Sequence, residues 1–186
     1  MWHCHELDAT AVCQTRDGLL PISQEAIYTL NKGVGYHPCE CGYAARRSFS
    51  YSSLSSPQLH HHLAIVEGTA NDLSEKPRLV ASLGDNITLL LEAHGPLVAQ
   101  ESLEECFTSM YFLTRACKFQ IRSLSAVGGD KDRLHMPSDA ELEELMQRSR
   151  ALDDTPTGEK HDTSAMMFDA ARRMVERRWG GEDIYC

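Results

Sequence analysis

The chain has 186 residues, of which 42% are hydrophobic and 24% charged, as is typical of one globular domain with a substantial core. The net charge of −9 argues against binding to nucleic acid or to an anionic membrane, because phosphates would be repelled. No apolar run is long enough for a membrane span, and the first residues have neither a basic n-region nor an apolar h-region, so we expect no secretory signal. The seven cysteines are irregularly spaced, so we expect reduced thiols in a cytoplasmic protein.

Three short elements are expected in the first part of the chain. Leu7, Ala11 and Val12 recur at helical spacing, and Ser23 is a suitable N-cap for a second helix. The expected elements are a helix over residues 7–14, a helix from Gln24 to about Leu30, and a strand over Val34–His37.

The composition changes between Pro38 and about Val66, where neither a period of two nor one of 3.6 is found. We expect a disordered insert there. The segment contains Cys39-Glu-Cys41 and His60-His61-His62, which could suggest zinc binding. The C-x-C spacing is not the usual one for structural zinc, so that interpretation is the weaker one.

Regular structure is expected again from Ser74, which can cap a helix that ends at Leu83 and Gly84. In this helix Leu79, Val80 and Leu83 are expected to form the buried stripe. A continuous apolar strand is predicted over residues 87–91, followed by His94 and a Gly-Pro turn. A further short strand is expected to begin at residues 98–99.

Helices dominate the rest of the chain. Ser102 and Glu105 form a capping box for a long helix that ends at Gly128-Gly129. Its predicted buried face is Leu103, Cys106, Phe107, Met110, Leu113, Thr114, Cys117, Ile121 and Leu124. Two more helices are predicted, one after Pro137-Ser138 and one over Ser164–Trp179. The last is expected to pack through Met167, Phe168, Ala171, Met174 and Val175.

Three histidines are candidate metal ligands. His3 and His5 are two residues apart, so in an extended segment both imidazoles leave the same face and can share an ion. His94 follows a buried strand, a position where α/β folds place their chemistry. Taken alone, an H-x-H pair is more often structural than metal-binding, and His94 is as easily a core residue as a ligand.

The order and spacing of several segments resemble the class II aldolase/adducin superfamily. Besides His3-Cys-His5, the matching segments are Gly18-Leu-Leu-Pro21-Ile-Ser-Gln24, Val34-Gly-Tyr-His37, Glu67-Gly68, Leu83-Gly84-Asp85-Asn86, Leu91-Glu-Ala-His94-Gly95 and Ser102-Leu-Glu-Glu105-Cys-Phe107. The late segment Phe168-Asp-Ala170-Ala-Arg172 is similar to the closing helix of the adducin-like branch.

The resemblance implies an α/β fold, a three-layer α-β-α sandwich around a mostly antiparallel sheet. It implies that His3, His5 and His94 bind zinc or another divalent ion. The ion would act as a Lewis acid on a sugar-like substrate in aldol cleavage, a carbon–carbon lyase reaction, or in related enediolate chemistry. It also implies a homo-oligomer, since relatives form tetramers.

Three departures from the family pattern lead to further expectations. One is the insert at Pro38–Val66, because in the family the Tyr-His of the strand runs almost directly into the Glu-Gly. The family carries a long segment before the H-x-H pair, with the catalytic glutamate, so we expect a domain that is incomplete at its N-terminus. Glu6 is no replacement, because its side chain would leave the opposite face from His5. The role of Glu92 stays open. Gln24 lies close to the position of a catalytic tyrosine in sugar-phosphate aldolases, and Tyr28 is an uncertain replacement.

Three interpretations of function therefore stay open. The chain is a metal-binding aldolase-like domain, a non-catalytic module like the adducin head that associates with actin and the cytoskeleton, or a fragment without independent function. We expect a partial family domain over residues 1–135, with the insert at 38–66, and a C-terminal helical extension over 136–186.

Overall fold

The structure, a computed structural model, describes residues 1–38, 76–153 and 162–180. The predicted insert lies outside these ranges except for Pro38, and so do the two cysteines of the C-x-C pair, the histidine triplet and the Ser74 cap. The described elements are β1 (Trp2–His3), α1 (Leu7–Cys13), α2 (Gln24–Asn31), β2 (Val34–His37), α3 (Lys76–Leu83), β3 (Thr88–Leu91), β4 (Gly95–Val98), α4 (Leu103–Ala126), a 3-10 turn (Lys131–Arg133), α5 (Asp139–Asp153) and α6 (Thr163–Trp179).

The four strands form one mixed sheet in the order β1-β4-β3-β2. Strand β4 pairs antiparallel with both β1 and β3, whereas β2 pairs parallel with β3. The prediction of an α/β fold with a mostly antiparallel sheet is therefore confirmed. Strand β3 is central and buried, with Leu89 and Leu90 each 1% exposed, which explains its continuous apolar sequence.

Helices cover both faces of this sheet, as strand β2 shows most clearly. His37 reaches the hydroxyl of Ser82 on α3, with 2.9 Å between its Nδ1 and the Oγ atom. Gly35 lies on the same face, where an added Cβ would come within 2.5 Å of the Ser82 carbonyl oxygen. The intervening Tyr36 turns the other way, and its hydroxyl accepts a hydrogen bond from the Leu19 amide on the α1 side. Alternation along the strand thus separates two helical layers.

Helix α4 is the centre of the main core. The predicted capping box is confirmed, because Ser102 accepts from the Glu105 amide while Glu105 accepts from the Ser102 amide. Leu113 and Cys117 are fully buried, together with Ala9 and Val12 of α1. These residues belong to one cluster that also includes Leu90 and Val98 of the sheet. None of the helices in the described ranges is both long and apolar enough to cross a membrane.

Several predicted packing faces are only partly correct. Leu7 is 84% exposed and α1 buries Ala9, Val12 and Cys13 instead. Val80 of α3 is 61% exposed and Leu103, the first residue of α4, is 56% exposed. Each of these helices is correctly placed, but these three side chains are exposed to solvent, so apolar spacing alone overstates their burial.

The two C-terminal helices pack against other helices. Helix α5 contacts α2, and α6 contacts α4. Arg150 of α5 donates a hydrogen bond of 2.8 Å to the side-chain oxygen of Asn31 at the end of α2. Phe168 of α6 meets Phe107 of α4 edge to face, with ring centroids 5.6 Å apart. Met174 was expected in this contact but is 72% exposed, because α6 turns that side to solvent.

Candidate metal centre

The three candidate histidines converge from two ends of the chain. His3 ends strand β1, and His5 lies between β1 and helix α1. His94 lies in the turn between β3 and β4. Because β1 pairs with β4, with His3 opposite Leu97, the pairing brings the start of the chain to the end of the β3–β4 hairpin. The register of the β1–β4 pairing therefore brings the three histidines together.

The ring nitrogens of these histidines lie close enough for one ion. One nitrogen from each ring can be chosen so that all three lie within 4.8 Å of one another. His3 and His94 are stacked with centroids 4.6 Å apart, and His5 meets both rings edge-on, at 4.9 and 4.7 Å. Three nitrogens on one tetrahedral zinc ion would lie about 3.4 Å apart, given bonds of about 2.0–2.1 Å. Small side-chain rotations would reach that spacing.

A backbone contact fixes the tautomer of His3. Its Nδ1 lies 2.8 Å from the carbonyl oxygen of Pro96. A carbonyl can only accept, so Nδ1 carries the proton and donates it to Pro96, which leaves the lone pair on Nε2. Metal-bound histidines typically have their second nitrogen held in this way. The donor chemistry of the group thus fits a divalent ion.

Gly95 allows the two segments to approach each other. Its φ of +132° lies in a region that favours glycine, and an added Cβ would come within 2.6 Å of the Cys4 carbonyl oxygen. The Cys4 amide in turn donates to the Pro96 carbonyl. The main chain between His3 and His5 therefore passes directly over the residue that follows His94, and a side chain at position 95 would push the two segments apart.

The predicted Gly-Pro turn after His94 is wrong. Gly95 and Pro96 belong to strand β4, where they pair with Leu91 and Leu90. The turn consists of residues 92–94 instead, and its central residue Ala93 has a φ of +62°. A tight three-residue hairpin needs such a left-handed residue, and here it is not the glycine that supplies it. His94 consequently lies at the end of the turn.

Carboxylates do not join the histidines within the described ranges, where the group contains His3, His5 and His94 alone. Glu6 serves as the N-cap of α1, since its carboxylate accepts a hydrogen bond of 2.8 Å from the Ala9 amide. Glu92 lies in the hairpin turn, and its amide donates to the His37 carbonyl. Neither glutamate is placed as a ligand.

The other two candidate positions lie on helix α2, away from the histidines. Gln24 and Tyr28 line a cleft of about 650 Å³ between α2, α4 and α5, together with Phe112, Leu145 and Arg148. Tyr28 packs against Phe112 with centroids 4.5 Å apart, and the Lys32 ammonium lies over the Tyr28 ring, 4.7 Å from its centroid. The histidines do not line this cleft, so neither residue joins them within this chain.

The thiols near the centre belong to the core. Burial raises the pKa of Cys13 to about 12, and burial likewise raises the pKa of Cys117 far above its ordinary value. Both remain protonated at neutral pH, and thiolates rather than thiols bind metals. The Cys4 side chain points away from its histidine neighbours and contacts the Met110 sulfur at 3.6 Å. The donor set is therefore made of imidazoles.

Two supporting groups were missed by the sequence analysis. One is the Pro96 carbonyl, which orients His3. The other is Trp2, whose ring packs against Phe107 of α4 with centroids 6.0 Å apart. A backbone acceptor cannot be predicted from residue types. The alternation of an aromatic residue with two histidines, in contrast, could have indicated a strand that packs on the core through one face and presents ligands on the other.

Comparisons with known proteins agree with this fold. The sequence profile described as "Class II Aldolase and Adducin N-terminal domain" matches residues 1–121. This chain belongs to that family. A protein of Caulobacter vibrioides assigned to aldolase class 2 is 33% identical over 128 residues, which cover 69% of this chain. Alpha-adducin of Rattus norvegicus is 29% identical over 181 residues, or 94% of this chain.

A solved structure has the same fold. The crystal structure of an aldolase II superfamily protein from Pseudomonas syringae matches 94% of this chain with a TM-score of 0.67 and 30% identity. The chain spans only part of each relative: 55% of the Pseudomonas syringae chain, 38% of the Caulobacter protein and 20% of the alpha-adducin.

Proposed function

We propose that this chain is a metal-binding domain of the class II aldolase type, whose chemistry is carbon–carbon bond cleavage in a small sugar-like substrate. The convergence of His3, His5 and His94 within 4.8 Å supports the proposal. Zinc is the ion we assign, because three neutral imidazoles with an open fourth position are typical of catalytic zinc sites. We also propose that the protein is cytoplasmic and that it forms a homo-oligomer.

The side chains of this centre have separable roles. His3 would present Nε2 to the ion, because the Pro96 carbonyl holds its Nδ1 proton. His3 and His5 are exposed and His94 is half-buried, so a substrate could approach from the solvent side. An ion held by these three histidines would supply a Lewis acid for a substrate carbonyl and for the negative charge that develops as the carbon–carbon bond is cleaved. The described residues of the group include no carboxylate, so we assign proton transfer to none of them.

Metal analysis of the purified protein tests this proposal. After exposure to zinc and removal of excess ion, we expect one zinc per wild-type chain. His94→Ala removes one of three ligands and should lose that ion. His135→Ala is the matched control, because His135 is an exposed histidine outside the group. The proposal fails if the folded wild-type protein retains no zinc, or if His135→Ala loses as much zinc as His94→Ala.

A second candidate function is a non-catalytic module like the adducin head, with an association with actin filaments. The alignment with alpha-adducin supports it, since it extends over 94% of this chain, whereas that with the Caulobacter protein covers 69%. Co-sedimentation with filamentous actin tests this function. Binding that is equal in the wild type and in His94→Ala would favour the module, and absence of binding would count against it.

A further inference from the structure

Strand β1 is short, although it carries one of the three proposed metal ligands. It consists of Trp2 and His3 and lies at one edge of the sheet, where its only strand partner in the described ranges is β4. Two residues form few backbone hydrogen bonds, and such an edge segment frays easily. Its ligand residue His3 needs an additional support if the imidazole is to hold one position.

Side-chain alternation supplies that support. Successive residues of a strand point to opposite faces, so His3 points to the other histidines while Trp2 points to the helices. Trp2 is half-buried and packs on Phe107 of α4, with 6.0 Å between ring centroids and a tilt of 51°. The ring of Trp2 also packs against the main core cluster. Because Trp2 and His3 are adjacent in one strand, fixing the Trp2 side chain also fixes the position of His3.

Phe107 also contacts the closing helix. Phe168 of α6 meets Phe107 edge to face at 5.6 Å with 76° between the rings, which is a favourable arrangement for aromatic pairs. Phe107 thus contacts both Trp2 and Phe168. The family profile ends at residue 121, so Phe168 and the whole of α6 lie outside the part of the chain that it matches.

We infer that α6 supports the metal centre from behind, with Phe168 as a positioning residue that keeps His3 in place through Phe107 and Trp2. The inference rests on the proposed metal-binding function. Phe168 does not contact a ligand itself, and its effect is to restrict the movement of its neighbours. Without Phe168, Phe107 can move into the vacated space, and Trp2 then loses its fixed partner. Groups that hydrogen-bond a metal ligand typically contribute about 10–100-fold to metal affinity, and a residue that acts through two others should contribute no more than the low end of that range.

A comparison of three variants tests this inference. Phe168→Ala removes the ring, Phe168→Leu retains an apolar side chain, and Met166→Ala shortens an exposed residue of the same helix. Cobalt(II) reports the site through its visible absorption, and its dissociation constant is obtained by titration. We expect roughly tenfold weaker cobalt binding in Phe168→Ala, substantial recovery in Phe168→Leu, and no change in Met166→Ala.

A second readout needs no metal. Trp2 and Trp179 are the two tryptophans, so in a Trp179→Phe background the fluorescence comes from Trp2. Phe168→Ala should shift the emission of metal-free protein to longer wavelength and raise its quenching by acrylamide, and Met166→Ala should do neither. Circular dichroism identifies any variant that fails to fold. If Phe168→Ala does not fold, Phe168→Val takes its place, with the same expected direction in both readouts.

The possible failures differ. If the wild type binds cobalt and folded Phe168→Ala binds it equally well, the positioning role is wrong and the metal centre stands. An unchanged Trp2 emission in Phe168→Ala would also contradict the role. If the folded wild type binds neither cobalt nor zinc, the proposed function itself fails, and the positioning role with it.

Discussion

Helices α4 and α6 pack against each other, but they are integrated into the molecule to very different degrees. Helix α4 buries eight residues, from Cys106 to Gln120, and it contacts α1, α2, α6 and the sheet. Helix α6 has no buried residue among those described, and its Met174 is 72% exposed. Both sequences are amphipathic. The depth of burial therefore follows from the number of surrounding elements, and amphipathicity alone does not report it.

The contrast separates stability from fine positioning. Substitutions in α4 should destabilise the whole domain, because its side chains fill the common core. Substitutions in the C-terminal helices should cost little stability even where they affect the metal centre. Matched changes in the two regions can break or sharpen this comparison, and they are ordered here by expected size.

The largest effect is expected from truncation of one leucine in the core. Leu113 is fully buried on α4, so Leu113→Ala removes buried methyl groups and leaves a cavity. Such substitutions cost about 2–5 kcal/mol of unfolding free energy. The same change at Leu145 of α5, which is 37% exposed, should cost less than about 1 kcal/mol. Urea denaturation of both variants gives the two values, and equal losses would contradict the comparison.

A buried amide provides the next test. Gln120 on α4 is 1% exposed, accepts a hydrogen bond of 2.7 Å from the Leu20 amide and donates one of 2.8 Å to the Gly18 carbonyl. Gln120→Ala leaves both backbone groups without these partners, at a cost of about 1–3 kcal/mol.

The control is Gln147→Ala on α5, where the amide is exposed and bonds only a neighbouring glutamate on its own helix in the described contacts. We expect a change below about 0.5 kcal/mol there. Should Gln120→Ala prove as mild as the control, the loop before Pro21 would not depend on α4.

The unfolding free energy should also decrease at alkaline pH, because a thiol is buried in the core. Burial raises the pKa of the Cys13 thiol from 9.0 to about 12 in the folded protein. Between these values the unfolded chain has lost the proton and the folded chain has kept it, so the unfolding free energy falls as pH rises. Below about pH 9 this contribution to stability is complete.

Urea midpoints at about pH 8 and about pH 10.5 measure the effect. Cys13→Ala, which has no thiol to titrate, should lose less stability over the same interval than the wild type. An identical loss in both proteins would show that Cys13 ionises as easily in the folded state as in the unfolded one.

Much of the fold could be predicted because its signals are local. The Ser102–Glu105 capping box, the Ser23 cap and the apolar run of β3 each depend on adjacent residues, and all are confirmed. The Gly-Pro turn was wrong because strand pairing, a long-range property, draws both residues into β4. The burial of Val80 and Leu103 was overestimated for a related reason, since a helix period does not show which positions the neighbouring elements cover.

The candidate site was predicted as a set of residues but not as a geometry. The H-x-H spacing and the resemblance to the family identified three histidines, and the structure brings them together. Their supports were out of reach: the Pro96 carbonyl is a backbone group, and the contact from Trp2 through Phe107 to Phe168 joins three distant segments. Contacts of that range are set by tertiary packing.

The smallest effect is expected at the surface of α5. The Arg150 guanidinium donates to the Asn31 side chain across the α5–α2 contact, but Arg150 is exposed, and fixing its long side chain costs entropy. Arg150→Ala should therefore change the unfolding free energy by less than about 0.5 kcal/mol, as should the control Arg148→Ala, which breaks an exposed pair with Glu144 within α5. A loss above about 1 kcal/mol for Arg150→Ala alone would mean that α5 is held to α2 by a specific polar contact. In that case the weakly attached C-terminal region would be α6 alone, and the boundary between core and periphery would lie after α5.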